Sequence, residues 1–470
     1  MLAISLILTL AGCSKKQDQG VSLEIWHYYN GAQKIAFDQL IMDFNETLGL
    51  EKDIIVEAFS QGNIGQLEGK IIESIDQRVG ASDVPNMITT YSGIAYTLDQ
   101  RGIVANLEDY ITDAEINEYV DSYIEEGRLG EDKQFKIFPT AKATEILMVN
   151  KTDWDQFAAA TGAKTGDLAT WEGISRIAEL YYNWTDSLTE EKNDGKSFFG
   201  RDALANYMLV GSKQLGKEIF QVKEGEATSN LDHDIMRKLW DNYYIPYISG
   251  YYSSFGRFSS DDAKTGEIIA LVGSTTGAAY FPDNVTIEDN DSYNIELLVL
   301  PLPNFENTSL DAVQQGAGIV VLKSDEVQEQ ASVEFLKWLT EESRNLRFSI
   351  ETGYLPVKKA AYIPEIVEKE LEEMSKQGLS KQLQMTIPLA MEQVKEYDLY
   401  ISKAFNQEGK ARAVLESALD EKAKIDRQKV IELMNQGMTH EEAVEEFSSD
   451  KDFREWLLEF EENLAGAVRE

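Results

Sequence analysis

The stretch Val21-Ser22-Leu23-Glu24-Ile25-Trp26 opens the pattern that decides the fold of this chain. Its apolar and polar residues alternate, as in a β-strand with one buried face. Apolar residues at helical spacing follow between positions 37 and 44, and a second strand-like run covers residues 54–59. Residues 64–79 predict another helix, which leads to a third strand near position 88. Strand, helix, strand, helix, strand is typical of an α/β lobe with a mainly parallel sheet.

The rest of the chain predicts a second set of elements. Residues 153–265 have a mostly helical pattern, and a helix is expected from Ser324, a good N-cap. Further strands are predicted at 135–139, 145–150, 268–272, 295–300 and 318–322. A chain of 470 residues is also too long for one core, so two or three domains are expected.

The C-terminal region, residues 405–470, is acidic and predicted to be helical. Thr439-His440-Glu441-Glu442 has the residues of a capping box. Phe453, Trp456, Leu457, Phe460 and Leu464 form an apolar stripe. We interpret this stripe as a face that docks on the parent domain, with a site for a partner as the alternative.

Composition excludes several classes of function. Acidic residues outnumber basic residues 82 to 44, which gives a net charge of −38 and argues against binding to nucleic acid. The three histidines show no metal-binding spacing, and no nucleophile elbow, P-loop or dinucleotide fingerprint is present. The sequence therefore predicts no metal, no cofactor and no catalytic residue.

The N-terminal segment predicts export. A short apolar run from Leu2 to Ala11 leads into Leu10-Ala11-Gly12-Cys13, and residues 14–20 are polar. An apolar run that ends in small residues is typical of a secretory signal, and the cysteine after Leu-Ala-Gly resembles the bacterial lipobox. Residues 1–20 are thus interpreted as a signal peptide and tether, with a lipid anchor on Cys13 at the extracytoplasmic face of the membrane. The alternative is a buried strand with a chance cysteine, and no Lys or Arg precedes the apolar run.

Aromatic residues are the most informative candidates for a binding site. Trp26 and Tyr28 lie at the predicted carboxyl end of the first strand, where ligands bind in open α/β sheets. A second aromatic cluster, between positions 240 and 258, includes Trp240 and Tyr244. Rings with polar tips suit sugars, whose hydroxyl groups also need convergent polar partners. Packing in the core is the alternative for each ring.

Short hydroxyl-rich loops next to predicted strands supply candidate polar groups. They are Tyr91-Ser92-Gly93, Ala143-Thr144 and the segment 273–277, which contains Ser274. Simple turn chemistry is the alternative interpretation of each loop.

Six motifs in order resemble the family 1 extracellular solute-binding proteins of ABC transporters, over about residues 20–365. The motifs are Ile25-Trp26-His27 with its helix, the segment 138–151, Thr170-Trp171-Glu172, Leu300-Pro301-Leu302-Pro303 with Gln315-Gly316-Ala317-Gly318, Phe335-Leu336-Lys337-Trp338-Leu339, and Thr352-Gly353-Tyr354-Leu355-Pro356-Val357. The resemblance implies a type II periplasmic-binding-protein-like fold, in which two α/β lobes, each with a mainly parallel sheet flanked by helices, close around a ligand. It implies a lobe one of residues 21–138 and 295–322, and a lobe two of 139–290 and 323–470. Hinge crossings are expected near 137–140, 290–295 and 322.

Within that family, the members that bind glycerol 3-phosphate are similar around Tyr354. By this resemblance Thr144, Ser274, Gly316 and Tyr354 fall where that group contacts its ligand. Ile64 and Ser92 differ from the tyrosine and glutamate of that group, and no counterpart of its C-terminal arginine is evident in the sequence. A phosphate favours a bidentate arginine or several lysines, so a neutral mono- or oligosaccharide is the preferred ligand.

These arguments predict a monomeric binding protein that delivers a sugar to the transmembrane subunits of an ABC permease. The alternatives are binding of a polyol phosphate and a surface enzyme that processes carbohydrate. The expected ligand-binding residues are Trp26, Tyr28, Ser60, Gln61, Tyr91, Ser92, Thr144, Trp240, Tyr244, Ser274, Gly316 and Tyr354.

Overall fold

The computed structural model describes residues 20–288 and 291–469, without the side chain of Glu288. The predicted lipidation of Cys13 therefore lies outside the described residues. The strands are β1 (Val21–His27), β2 (Ile54–Ser60), β3 (Met87–Thr90), β4 (Arg128–Leu129), β5 (Gln134–Phe135), β6 (Ile137–Phe138), β7 (Glu145–Asn150), β8 (Phe199–Arg201), β9 (Phe220–Lys223), β10 (Glu226–Ser229), β11 (Ala270–Ser274), β12 (Asn284–Glu288), β13 (Asp291–Asn294), β14 (Leu297–Leu300), β15 (Asp311–Val313), β16 (Gly318–Val321) and β17 (Asp398–Tyr400). The helices are α1 (Gly31–Glu46), α2 (Leu48–Lys52), α3 (Ile64–Ile75), α4 (Ser92–Gln100), α5 (Asp113–Ile116), α6 (Asp121–Glu126), α7 (Lys151–Thr161), α8 (Trp171–Asp186), α9 (Leu204–Gln214), α10 (His233–Ile248), α11 (Ser259–Thr265), α12 (Glu326–Leu339), α13 (Glu342–Thr352), α14 (Pro364–Ser375), α15 (Lys381–Glu396), α16 (Glu408–Asn435), α17 (His440–Glu445) and α18 (Asp450–Ala467).

The first lobe is built on a five-stranded sheet in the order β2-β1-β3-β16-β6. Strand β1 is parallel to both β2 and β3, as the N-terminal pattern predicts, whereas β16 is antiparallel to β3 and to β6. Leu23 and Ile25 point to the core shared with α1 and α12, and Trp26 points to the core formed with α3 and α4. The alternation of β1 thus buries both of its faces, because helices cover each side of the sheet.

Helix α12 belongs to the first lobe, although the predicted boundary put residues after 323 in lobe two. Phe44 of α1 contacts Phe335 and Trp338 of α12, with ring centroids 5.0 and 5.3 Å apart. The apolar stripe of α12 covers the sheet face beside α1, directly after β16 ends. Its N-cap is Asp325, which accepts a hydrogen bond from Gln328 N–H, and not Ser324.

The second lobe has a four-stranded sheet in the order β14-β7-β11-β8. Strand β7 is antiparallel to both β14 and β11, and only β11 and β8 are parallel. The expectation of a mainly parallel sheet is therefore wrong for this lobe. Residues 295–300 were expected in lobe one, but β14 pairs with β7, with Leu297 opposite Asn150. Strand β14 follows the β12–β13 hairpin directly and completes the second sheet. The chain therefore crosses back to the first lobe only after Leu300.

The helices of the second lobe include the C-terminal region. The predicted capping box at Thr439 and Glu442 is present at α17. Phe453, Trp456, Phe460 and Leu464 of α18 are buried in one core with α8, α9 and α10, so the apolar stripe docks on the parent lobe. The stretch between residues 153 and 265, predicted to be mostly helical, is interrupted by β8 and by the β9–β10 hairpin.

Three segments pass between the lobes: residues 139–144, 301–317 and 353–358. They are held together by antiparallel bridges between Lys142 and Leu355 and between Ala143 and Gln315. Strand β17 runs parallel to β15 beside them. The connection is therefore a small set of paired strands, which fixes the position at which the two sheets face each other.

Candidate functional site

Tyrosines form a cluster where β1 and β3 end and where the chain crosses between the lobes. The hydroxyl oxygens of Tyr28 and Tyr354 are 3.5 Å apart, and the ring centroids of Tyr28 and Tyr91 are 6.5 Å apart. Tyr29 packs edge-on to Tyr354 at 6.2 Å, and Phe348 stacks on Tyr354 at 6.4 Å. The structure therefore brings together Tyr28, Tyr91 and Tyr354, which lie far apart in the sequence.

These phenols are uncharged at neutral pH. Burial raises the pKa of Tyr28 to about 12, with a further contribution from Tyr29. Burial also raises the pKa of Tyr354 well above its usual range. Tyr91 is the open edge of the cluster, because 38% of its surface is exposed. Neutral hydroxyl groups at this edge can both donate and accept hydrogen bonds.

A buried lysine joins two of the segments that cross between the lobes. Lys142 Nζ donates hydrogen bonds to Glu126 Oε2 and to the carbonyl oxygen of Gly316, both at 2.8 Å. Gly316 has a φ of +93°, and a Cβ atom there would lie 2.5 Å from the carbonyl oxygen of Ala141. Gln314 also donates to Glu126. Gly316 is therefore required by the backbone geometry of the hinge, and Lys142 uses its carbonyl.

A buried ion pair lies on the second lobe at the start of β7. Arg201 Nη2 donates to Glu145 Oε2 at 2.5 Å, and Asn206 Nδ2 donates to Glu145 Oε1 at 2.8 Å. Burial raises the pKa of Glu145, while the charge of Arg201 opposes this shift. Arg412 Nη2 donates to Asn206 Oδ1 at 2.8 Å, so a helix from the C-terminal region joins the network.

The first turns of α16 pack against α9 of the second lobe through Arg412 and Glu416. Glu416 accepts hydrogen bonds from the backbone N–H groups of Leu204 and Ala205, at 3.0 and 2.9 Å, and so occupies the N-terminus of α9. The positive charge of Arg412 opposes the rise in the pKa of Tyr91. No local motif in the sequence links α16 to Tyr91, so the sequence does not predict this part of the site.

A cavity of about 650 Å³ lies between the lobes next to these groups. It is lined from the first lobe by α4 and residues 125–131, and from the second lobe by the end of α9 and the β9–β10 hairpin. Ser92 and Glu126 connect the cavity to Tyr91 and Lys142. Its charged residues are five glutamates and three basic residues: Glu125, Glu126, Glu131, Glu218, Glu224, Arg128, Lys213 and Lys403.

Three predicted ligand-binding aromatics lie in cores and not in the cleft. Trp26 is 2% exposed and packs under α3 and α4, because it lies inside β1, one residue before the strand ends. Trp240 and Tyr244 stack on each other at 3.7 Å inside the second lobe, and Tyr244 donates its hydroxyl to Asp426. Helices α16 and α18 cover both rings, which corrects their expected role.

The predicted polar residues have mixed positions. Ser92 lines the cavity at the start of α4. Thr144 is fully buried and donates to the carbonyl oxygen of Val313, so it serves the hinge. Ser274 caps the short turn that follows β11. Ser60 donates to the carbonyl oxygen of Tyr29, and Gln61 accepts from Lys70.

Within the described ranges 20–288 and 291–469, no group of His, Cys, Asp and Glu side chains is arranged to hold a metal ion. No helix in the same residues is both long and apolar enough to cross a membrane.

Comparison with known proteins identifies relatives of this chain. The sequence profile of the bacterial extracellular solute-binding proteins matches residues 39–373. No curated protein matches the sequence.

Solved structures share the fold. The cyclic alpha-maltosyl-1,6-maltose binding protein from Arthrobacter globiformis is 16% identical, aligns over 96% of this chain and 99% of its own, and has a TM-score of 0.66. UgpB from Mycobacterium tuberculosis, in complex with glycerophosphocholine, is 17% identical over 95% and 99% of the two chains, with a TM-score of 0.65. MalE from Bdellovibrio bacteriovorus, bound to maltotriose, is 13% identical over 96% and 100%, with a TM-score of 0.61. These similarities confirm the predicted two-lobed α/β fold.

Proposed function

We propose that this chain, which belongs to the bacterial extracellular solute-binding protein family, captures a neutral mono- or oligosaccharide between its lobes and delivers it to an ABC importer. The observation that carries this proposal is the cavity of about 650 Å³ lined by both lobes, in which Ser92 follows Tyr91 of the tyrosine cluster directly in the chain. Its volume is within the usual range of small-molecule sites. Closure of two lobes on a sugar removes water and adds contacts that only the closed form offers.

The chemistry of the cavity supports an uncharged ligand. Its lining carries more carboxylates than basic groups, so a free anion meets net repulsion there. The phenols of Tyr28 and Tyr91 are neutral and offer ring faces as well as hydroxyl groups. Sugar hydroxyl groups match such donors and acceptors, and the C–H faces of a sugar match the rings.

A second candidate ligand is a glycerol phosphate or phosphodiester. The feature that favours it is the positive charge of Arg412, which opposes the rise in the pKa of Tyr91 at the open edge of the cluster. Arginine is suited to phosphate recognition because it donates two parallel hydrogen bonds. One structural relative was crystallised with glycerophosphocholine. Arg412 already donates to Asn206, so a phosphate has to compete for this side chain.

Calorimetric titration with maltose, maltotriose, glycerol 3-phosphate and glycerophosphocholine tests the two candidates directly. We expect a saccharide to bind, and Tyr91→Ala to weaken that binding about tenfold, which corresponds to roughly 1.4 kcal/mol and is typical of a lost aromatic contact. Tyr110→Ala is the matched control, since Tyr110 lies on the outer side of the first lobe and bonds to Glu329.

The outcomes separate the candidates. Binding of only the two phosphate compounds, with loss on Arg412→Ala, rejects the sugar proposal in favour of the second candidate. Equal affinity of Tyr91→Ala and the unmodified protein for a bound sugar removes the tyrosine cluster from the site. Turnover of maltotriose during the titration contradicts a pure binding function.

The lipid anchor and the permease are part of the same proposal. Cys13 follows Leu-Ala-Gly in the sequence and is the residue expected to carry the lipid. Expression in a bacterial host with labelled palmitate should give a labelled membrane-bound protein, whereas Cys13→Ser should give an unlabelled one. Equal labelling of the two proteins contradicts the anchor without affecting the sugar proposal.

A further inference from the structure

Glu126 belongs both to the wall of the cavity and to the connection between the lobes. It is the last residue of α6, and it lines the cavity. Its Oε2 atom accepts hydrogen bonds from Lys142 Nζ, at 2.8 Å, and from Gln314 Nε2. Lys142 lies on the crossing segment 139–144 and Gln314 on the crossing segment 301–317. One carboxylate oxygen of the first lobe therefore binds two of the segments that join the lobes.

Two buried amide side chains place Lys142 where the connection can bend. Asn345 of α13 donates to the carbonyl oxygen of Thr140 at 2.7 Å, just after β6 leaves the first sheet. Gln393 of α15 donates to the carbonyl oxygen of Glu145 at 2.9 Å, where β7 enters the second sheet. Lys142 lies between these two fixed points of the chain. A rotation of one lobe against the other is therefore expected to move Lys142 relative to α6.

The second oxygen of the same carboxylate is available to a ligand. Within residues 20–288 and 291–469, the side-chain hydrogen bonds of Glu126 all end on Oε2, and Oε1 accepts none. The side chain is 12% exposed, and the cavity is the open space that it lines. Lys142 is only 2% exposed and balances the negative charge of the carboxylate. A charged acceptor of this kind makes stronger hydrogen bonds with a hydroxyl group than a neutral acceptor does.

We propose that Glu126 is the group through which a ligand in the cavity acts on the hinge. A hydroxyl group of the ligand donates a hydrogen bond to Oε1, while Oε2 keeps its hydrogen bonds from Lys142 and Gln314. This role rests on the proposed function, because it needs a ligand in the cavity, but it does not depend on which of the two candidate ligands binds.

The action on the hinge follows from the geometry of a carboxylate. Its two oxygens lie in one plane, so a hydrogen bond that fixes the direction of Oε1 also fixes that of Oε2. A ligand on Oε1 therefore favours the hinge conformation in which Lys142 and Gln314 reach Oε2, and it shifts the lobes towards that conformation by its differential affinity. The same geometry selects the chemistry of the ligand, because a hydroxyl group can donate to Oε1, whereas a charged phosphate oxygen cannot and is repelled.

Replacement of Glu126 by Gln tests the contact with the ligand. The amide has nearly the same shape, but it replaces a charged acceptor by a neutral group. Calorimetric titration uses whichever of maltose, maltotriose, glycerol 3-phosphate and glycerophosphocholine binds the unmodified protein. We expect Glu126→Gln to bind this probe about tenfold more weakly, as for the loss of a hydrogen bond to a charged group. Glu118→Gln is the matched control and should leave the affinity unchanged, since Glu118 pairs with Lys358 of the third crossing segment at 2.8 Å but does not line the cavity.

Distances between two spin labels test the action on the hinge. Leu50→Cys on the first lobe and Leu188→Cys on the second are suitable positions, with 76% and 65% of their surfaces exposed, in a full-length chain that also carries Cys13→Ser. With saturating probe, the ratio of closed to open molecules should be about fivefold lower in Glu126→Gln, at the lower end of the usual coupling between linked sites. Gln314→Met should also lower this ratio, although Gln314 does not line the cavity, because it removes one of the hydrogen bonds to Oε2.

The outcomes separate this role from the proposed function. Equal affinity of Glu126→Gln and the unmodified protein overturns the role of Glu126 and leaves the proposed function in place. A weaker affinity with an unchanged ratio of closed to open molecules also overturns it, and so does an equal change in Glu118→Gln. If urea unfolding shows that Glu126→Gln does not fold, an unchanged ratio in Gln314→Met overturns it instead. Absence of binding by all four probe ligands overturns this role together with the proposed function.

Discussion

Replacement of Arg201 by Met should show how strongly the ion pair at the start of β7 supports the second lobe. The side chains of Arg201 and Glu145 are each only 1% exposed, and their closest N–O distance is 2.5 Å. In Arg201→Met the carboxyl group keeps its hydrogen bond from Asn206 but loses the one to Oε2. The guanidinium group also packs 5.0 Å from the ring centre of Trp171, a contact that Met retains in part.

Breaking a buried pair by removal of one partner costs about 3–5 kcal/mol, because it leaves an uncompensated charge inside the protein. We expect a loss of this size in the free energy of unfolding at pH 7, followed by tryptophan fluorescence in urea. For comparison, the whole free energy of unfolding of a typical protein is about 5–15 kcal/mol. The loss should shrink as pH falls, since Glu145 without Arg201 becomes neutral more readily.

The double variant Glu145→Gln/Arg201→Met separates the charge effect from the loss of packing. The amide is neutral and can still bond to Asn206, so the double variant should be more stable than Arg201→Met by about 2 kcal/mol. A loss below about 1 kcal/mol in Arg201→Met, or a double variant no more stable than the single one, refutes the reasoning.

Three further changes test other parts of the description. Trp240→Ala should destabilise the protein by about 3–5 kcal/mol in urea unfolding, because it empties a core site, and should leave ligand affinity within twofold; a large loss of affinity without destabilisation contradicts its burial. Gly316→Ala should lower the free energy of unfolding by about 2 kcal/mol, because a φ of +93° disfavours a side chain and the new Cβ would meet the carbonyl oxygen of Ala141. Unchanged stability would show that the hinge backbone relaxes freely. Burial lowers the pKa of His27 to about 4, so the neutral imidazole stabilises the fold above pH 6.5 and this stabilisation is lost as pH falls towards 4. Between pH 7 and pH 4 the free energy of unfolding of the unmodified protein should therefore fall by about 3 kcal/mol more than that of His27→Asn. Equal losses in the two proteins would contradict a buried neutral imidazole.

Local patterns predicted the first lobe well and the shape of the second lobe less well. The strand at 21–26 and the helix after it have strong periodicity, and β1 and α1 occupy Val21–His27 and Gly31–Glu46. The strand β8 has only three residues, too few for periodicity to mark it. The assignment of β14 to a lobe depends on pairing with β7, about 150 residues earlier, and no local signal contains that information.

The candidate site shows the same limit. Tyr28 and Trp26 are two residues apart, yet Tyr28 lies just beyond the end of β1 and Trp26 lies inside it. A shift of one or two residues in a predicted strand end therefore exchanges a cleft residue for a core residue. Trp240 and Tyr244 are four residues apart on α10, which correctly indicates one face of a helix, but the helices that cover this face come about 200 residues later.

The network from Glu145 through Asn206 to Arg412 could not be predicted, since it joins residues that are up to about 270 positions apart. Among 82 acidic residues, none stands out by type or spacing. Only the resemblance to a known family pointed to Tyr354, and the contact of Tyr354 with Tyr28 gives that residue a physical context.

The interleaved path of the chain also bears on how the protein responds to cleavage. Strand β16 is inserted between β3 and β6, while β14, just upstream, lies beside β7. A protease that cuts the connection between Leu300 and Asp311 leaves the C-terminal fragment with β16 in the first sheet and with α16 and α18 in the core of the second lobe. Such a nicked protein should migrate as one particle under native conditions and separate into two pieces only in denaturant, so that an intact elution profile says little about whether the backbone is continuous.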